Sequence, residues 1–188
     1  DLLAGGGVKF FTDRKDYRNL FEEIARNKIE IETKTRKVKK LKEVPTAAIF
    51  PMEEVLNEEE FLLEASEGFT QATSRQNKAF FWVLDFNSIH QATKRQSPEQ
   101  LDQAITQLND LLDFLLNTNE KNKTLILLYG NFADGSLEME GNKLVRLRGN
   151  DTESYIVPLL SYGSGAENFS GYINSLEVHK RLVDILRK

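Results

Sequence analysis

The chain contains no cysteine among its 188 residues. That excludes disulfides, thiolate nucleophiles and cysteine-ligated zinc. Histidine is almost as scarce, with two residues, His90 and His179. Any zinc chemistry would have to run nearly without imidazole. No apolar run is long enough to cross a bilayer. The opening Asp1-Leu2-Leu3-Ala4-Gly5-Gly6-Gly7 lacks the basic segment and longer apolar stretch of a signal peptide. There is no internal repeat and no low-complexity segment. With a net charge of −4 the chain has no electrostatic reason to bind nucleic acid. What is present is ordinary for a globular domain: 40% apolar and 29% charged residues. That is enough chain for one domain with a real core, taken as residues 1–188.

Hydrophobic periodicity and capping residues place the elements. A first helix is expected after Asp16, with Tyr17, Leu20, Phe21 and Ile24 on one face. A short strand, Ile29 to Ile31, follows. The basic run Lys34 to Lys42 reads as a solvated helix face. Asn57 and Glu60 frame a second helix carrying Phe61, Ala65, Phe69 and Ala72. Ala79 to Leu84 is a continuous apolar run, as in a central parallel strand buried on both faces. Ser97, Pro98 and Gln100 open a third helix with a stripe of Leu101, Ile105, Leu108, Leu112 and Leu115. A turn at Asn117 to Asn122 then leads to a second buried strand, Thr124 to Tyr129, completing a β-α-β unit with a right-handed crossover. Leu137–Met139 and Leu144–Leu147 read as an antiparallel hairpin. Tyr155 to Leu160 is expected as another buried strand. Asn174 and Glu177 cap a last helix with Val178, Leu182 and Leu186 on its inner face. The fold class is α/β with a mainly parallel sheet flanked by helices.

Several stretches, in order, resemble the alkaline phosphatase family. Leu2 to Gly7 with Lys9-Phe10-Phe11 is similar to its glycine-triplet segment. Thr46-Ala47-Ala48-Ile49-Phe50 sits where the family has a segment ending in Gly-Leu-Phe. Phe80 to Asp85 and Thr124 to Leu128 resemble the two strands that run into the metal site. The most specific stretch is Val157 to Gly171, which resembles the family's Val-Pro strand, Tyr-Gly-x-Gly-Ala loop and Phe-Ser-Gly run. The resemblance spans the chain end to end. It implies an alkaline-phosphatase-like domain lacking its amino-terminal portion, with the nucleophile and a phosphate-holding arginine upstream of Asp1. A location in the periplasm or outside the cell is likewise implied only by resemblance. A missing portion would leave Val8, Phe10 or a strand edge exposed, and a homo-oligomer could cover it.

The functional rim of such a sheet lies at the strands' carboxyl ends. There the family carries Glu-Gly-Gly-Arg-Ile-Asp-His-x-His-His, and after the next strand Asp-His, holding zinc and magnesium. By this resemblance Asp85 falls at the magnesium-binding glutamate, and His90 at a zinc-binding aspartate. Thr93 falls at a zinc-binding histidine, Asn131 and Phe132 at the Asp-His pair, and Thr152 near a later histidine. An amide, a phenyl ring and hydroxyls are poor replacements, because zinc needs three or four nitrogen, sulfur or carboxylate ligands. No zinc and no catalytic residue are therefore expected, with Asp85 a weak magnesium ligand at most. The bland readings are a turn residue for Asp85, an ordinary hydrogen-bonding side chain for His90 and a turn for Asp134-Gly135. The glycine triplet lacks the Gly-Lys-Ser/Thr ending of a P-loop. The sequons at Asn122, Asn150 and Asn168 are short patterns that arise by chance. The leading expectation is an inactive relative acting as a scaffold or binding module. The alternative is a divergent metal-dependent phosphomonoesterase completed by an upstream segment.

Overall fold

The computed structural model describes residues 2–34, 46–50, 58–76, 80–130, 133–140, 143–153 and 156–187; for 46–47, 72–76, 133–139 and 143–153 it describes the backbone alone. The chain divides into two compact units, Asp1–Asn87 and Ser88–Lys188. Its class is α/β, as expected, with a parallel three-stranded sheet in the first unit. Asn57 and the basic run beyond Lys34 lie outside the described residues.

In the first unit, β1 (Leu2–Gly6), β2 (Glu30–Glu32) and β3 (Thr46–Phe50) form a parallel sheet in the order β1-β3-β2. Leu2 is in register with Thr46 and Gly6 with Phe50. β3 is central, and its Ala48, Ile49 and Phe50 are buried at 0%, 2% and 0% exposure. The glycine triplet ends β1 in a turn. Gly7 has φ 117° and donates its N–H to the Phe50 carbonyl at 2.7 Å. That conformation is one L side chains avoid, and a Cβ at Gly7 would stand 2.9 Å from the Phe10 ring. A short helix, α1 (Lys9–Thr12), follows, and Phe11 stacks on Phe21 of α2 (Leu20–Arg26) with centroids 5.6 Å apart.

The first expected helix needs correction at its start. It begins at Leu20, because the Asn19 side chain accepts the Phe21 N–H at 3.0 Å. Asp16 cannot cap it, since Arg14 holds that carboxylate through Nε at 2.9 Å and Nη2 at 2.5 Å. Tyr17 is consequently off the helix, 98% exposed at φ 57°. The strand read as Ile29–Ile31 is shifted by one residue.

The long helix α3 (Glu58–Gln76) packs as its pattern requires. Phe61 meets Phe50 edge-on at 5.7 Å, and Ala65 joins Ala48 and Phe50 in one buried cluster. Ser66 is buried but satisfied, its hydroxyl donating to the Leu62 carbonyl at 2.6 Å. Phe69 is buried against Phe80 and Trp82, at 5.3 and 4.5 Å.

The expectation of a doubly buried strand at Ala79–Leu84 fails. Ala79 lies outside the described residues, and Phe80–Asn87 joins no described ladder. Exposure alternates from Phe81 to Asn87, with Phe81 at 60% and Val83 at 71%. The apolar run signals a demand for burial on both faces, and α3 meets that demand on one. With no strand here, the expected β-α-β unit is absent among the described residues.

The second unit opens with α4 (Ser88–Lys94), which the periodicity did not reveal, and α5 (Pro98–Thr118). Ser97 caps α5 by accepting the Gln100 N–H at 3.3 Å, with Pro98 in the first turn. Leu101, Ala104 and Leu111 are its buried residues, while Ile105, expected on the inner stripe, is 45% exposed. Ile89 packs on Ala92 and Leu101, joining the two helices.

Next come β4 (Leu125–Tyr129), β5 (Ala133–Glu140), β6 (Lys143–Glu153) and β7 (Leu159–Gly163). β4 pairs with β7, antiparallel, Leu125 opposite Gly163 and Tyr129 opposite Leu159. Two expectations are corrected here. Thr124–Tyr129 is partly buried, with Tyr129 59% exposed. The strand read as Tyr155–Leu160 starts only at Leu159, and Ile156 and Leu160 are 80% and 61% exposed. The pairing depends on Gly163, at φ 95°, where a Cβ would come 2.0 Å from the Thr124 carbonyl oxygen. β5 and β6 form the expected hairpin, with Leu137 opposite Leu147. Asp134-Gly135, read as a turn, lies within β5 beside a register shift between Asp134 and Ser136. A 3-10 turn (Ala166–Phe169) leads to α6 (Ser175–Leu186). Its capping box is as expected: Asn174 Oδ1 accepts from Leu176 N at 2.8 Å and Glu177 N at 3.2 Å, and Glu177 accepts from Asn174 N. Val178 and Leu182 are partly covered, but Leu186, expected on the inner face, is 58% exposed. No helix among the described residues is long and apolar enough to cross a membrane.

Candidate functional site

Asp85 lies in the first unit, exposed, within the segment that follows Trp82. Two residues later the Asn87 N–H donates to Glu58 Oε1 at 2.9 Å, tying this segment to the first turn of α3. His90 and Thr93 lie in the second unit, three residues apart on α4. That spacing puts neighbours on one helix face. His90 is half-buried, whereas Thr93 is 7% exposed. The Thr93 hydroxyl donates to the Ile89 carbonyl at 2.8 Å. Threonines within helices form this bond to the carbonyl four residues earlier. Asn131 and Phe132 lie outside the described residues. The Thr152 backbone is in β6 directly opposite Asp134 of β5. His179 is exposed on α6. Among the described residues, no group of three or more histidine, aspartate or glutamate side chains is arranged to hold a metal ion.

Within the stretch with the most specific sequence pattern, several residues have structural roles. Gly163, Gly165 and Gly171 take φ values of 95°, 82° and 84°. Ser161 Oγ donates to the Ala166 carbonyl at 3.0 Å, and Asn168 Nδ2 to the Gly165 carbonyl at 2.9 Å. Phe169 is 2% exposed. Arg181 of α6 donates to the Asn168 carbonyl, anchoring the turn on the last helix. Beside it lies a surface hollow of about 300 Å³ lined by Glu167, Asn168, Arg181, Asp184 and Ile185. Its two carboxylates and one arginine already engaged to backbone make it an unremarkable polar surface.

A charged network in the first unit was not visible as a unit in the sequence. Arg14 pairs with Asp16, and Arg18 with Glu23, each at 2.5 Å. The Arg14 hydrogen bond lowers the Asp16 carboxyl to about 2. The Arg18 hydrogen bond likewise lowers Glu23 and raises Arg18. The spacing Arg-x-Asp-x-Arg was the available signal. What it lacked was the turn, with Tyr17 at positive φ, that folds these side chains onto each other.

Neither the protein-family profiles nor the curated proteins give a match. The solved structures do. The chain has an alkaline-phosphatase-like fold. It is similar to the alkaline phosphatase of the Antarctic bacterium TAB5 at a TM-score of 0.83 with 21% identity, over 100% of this chain and 60% of that one. Two histidine mutants of the same enzyme, to aspartate and to glutamate and each with magnesium in its M3 site, match at TM-scores of 0.81 and 0.82 with 20% identity. The chain thus spans 60% of the length of these solved relatives. At this level of identity the likeness establishes the fold.

Proposed function

We propose that this alkaline-phosphatase-like domain is non-catalytic and acts as a scaffold or as a binding module. The observation that carries the reading is Thr93. By resemblance it occupies the place of a zinc-binding histidine, and its hydroxyl is buried and bonded to Ile89 of its own helix. A neutral hydroxyl so engaged is not a zinc ligand. The sequence adds an amide at Asn131 and a phenyl ring at Phe132, where the family carries aspartate and histidine. A pair of metal ions that activates a nucleophile and stabilises both apical oxygens does not fit this donor set. Asp85 remains as a carboxylate suited to weak magnesium binding. Residence in the periplasm or outside the cell follows the resemblance and belongs to the same proposal.

The test is metal analysis of the purified protein, together with hydrolysis of p-nitrophenyl phosphate in added zinc and magnesium. The expected result is substoichiometric zinc and no phosphate release. Stoichiometric zinc with turnover would instead establish the second reading, a divergent phosphomonoesterase. That reading draws its support from Asp85, an exposed carboxylate at the place where the family holds magnesium.

A further inference from the structure

Sequence alone gives no reason to prefer one of the three Asn-x-Ser/Thr sequons; their surroundings do. Asn168 is built into the fold. Its Nδ2 donates to the Gly165 carbonyl at 2.9 Å, its own carbonyl accepts from Arg181, and the adjoining Phe169 is 2% exposed. A Cβ at Gly165 would stand 3.6 Å from that same nitrogen. A sugar on Asn168 would break the bond to Gly165 and crowd the turn. Asn150 lies within the strand β6, whereas glycan acceptors belong to surface loops. Asn122 is of another kind. It stands between α5 and β4, in a turn closed by the Lys123 and Thr124 N–H groups, both donating to the Glu120 carbonyl at 3.0 Å. Lys121, Asn122 and Lys123 are all exposed. Among the described residues, neither the Asn122 amide nor the Thr124 hydroxyl has a hydrogen-bond partner.

We infer that Asn122 is the acceptor of an N-linked oligosaccharide. The reaction is a group transfer from a lipid-pyrophosphate-linked oligosaccharide, catalysed by a membrane oligosaccharyltransferase. A bond forms between Asn122 Nδ2 and the anomeric carbon of the first sugar. The bond from that carbon to the pyrophosphate oxygen breaks, the lipid pyrophosphate leaves with the electron pair, and the amide gives up one proton. The amide nitrogen must be free for this, and the hydroxyl two residues on must be able to bond to the enzyme. Both conditions hold at Asn122 and Thr124. Of the three sequons, this one alone has a carboxylate two residues ahead of the asparagine: Glu120, against Arg148 and Ala166. Glu120 pairs with Lys123 at 2.9 Å, but both side chains are more than two-thirds exposed. So weak a surface pair leaves the carboxylate open to a basic groove of the transferase. A bulky glycan here projects into solvent and disturbs no packed side chain. The inference rests on the proposed residence outside the cytoplasm, where such transfer takes place.

The test uses the full, folded chain with a purified single-subunit oligosaccharyltransferase and its lipid-pyrophosphate donor. One glycan should be added, seen as a single gel shift and located at Asn122 by peptide mass spectrometry. Asn122→Gln and Thr124→Ala should each lose the shift. Thr124→Ser, which keeps the hydroxyl, and Asn168→Gln should retain it. All four positions lie at the surface or are conservatively changed, and circular dichroism confirms that each variant is folded. A folded wild-type chain left unmodified would overturn the inference. So would attachment at Asn150 or Asn168, or a shift that survives Thr124→Ala. Natural use is read from the chain isolated from its source, together with fractionation of those cells. A bare Asn122 on an exported chain would overturn the assignment and leave the residence intact. A chain confined to the cytoplasm would overturn the proposed residence and natural occupancy together.

Discussion

The two units of this chain solve the problem of a small sheet in opposite ways. In the first, β3 lies between two parallel neighbours, its Ala48, Ile49 and Phe50 are buried, and Ala48 and Phe50 pack against Ala65 and Phe61 of α3. In the second, β4 and β7 form a two-stranded antiparallel ribbon with Tyr129, Leu160 and Tyr162 at 59%, 61% and 40% exposure. The first unit is therefore held by side-chain burial, and the ribbon by local backbone fit. Parallel strands need cover on both faces, whereas an antiparallel pair tolerates an open one.

The comparison is broken most directly by emptying the first core. Phe50→Ala should destabilise the first unit by about 3–5 kcal/mol, read as lost amide protection in β1 and β3. An effect below about 1 kcal/mol would mean that the buried ring contributes little. Gly163→Ala tests the backbone side of the contrast. With a Cβ driven against the Thr124 carbonyl at positive φ, it should cost roughly 2–4 kcal/mol and abolish protection in β4. Neutral behaviour would show the ribbon able to slide away from the clash. The helix caps come next: Ser97→Ala and Asn174→Ala should each cost about 1 kcal/mol by chemical denaturation. The smallest effect lies in acid. The Asp16 carboxyl is lowered to about 2 by its Arg14 bond. Its folded value is below its unfolded one, so its contribution is present above about pH 4 and disappears as pH falls toward 2. Because the pair is solvent-exposed, the change should be slight. It should vanish in Arg14→Gln when the acid midpoint is compared with wild type.

What the sequence made legible follows the range of the interactions involved. Ser97 with Pro98, and Asn174 with Glu177, report on bonds made within one turn, and both helices start where those residues place them. The alkaline-phosphatase-like fold was likewise legible in five short stretches taken in order. Pairing was not. Nothing in Thr124–Tyr129 encodes that its neighbour is an antiparallel strand some thirty residues further on. The run Phe80–Leu84 states its appetite for burial without stating a partner. Local signals also misled where they competed. Asp16 and Asn19 are both residue types that cap helices, but Arg14 holds Asp16 and it is Asn19 that accepts the Phe21 N–H. At the candidate site, the residue types at Asp85, His90 and Thr93 could be read directly. That the Thr93 hydroxyl turns back to Ile89 could not, because a helix of seven residues is too short for a periodic stripe to announce it.

Gly163 carries a wider consequence. The steric demand of one carbonyl fixes which amino acid can stand at that point, whatever chemistry the surrounding polypeptide performs. Any sequence that keeps this strand crossing would still have to place glycine at position 163. Signatures of that kind record how a chain is built and are silent about what it does.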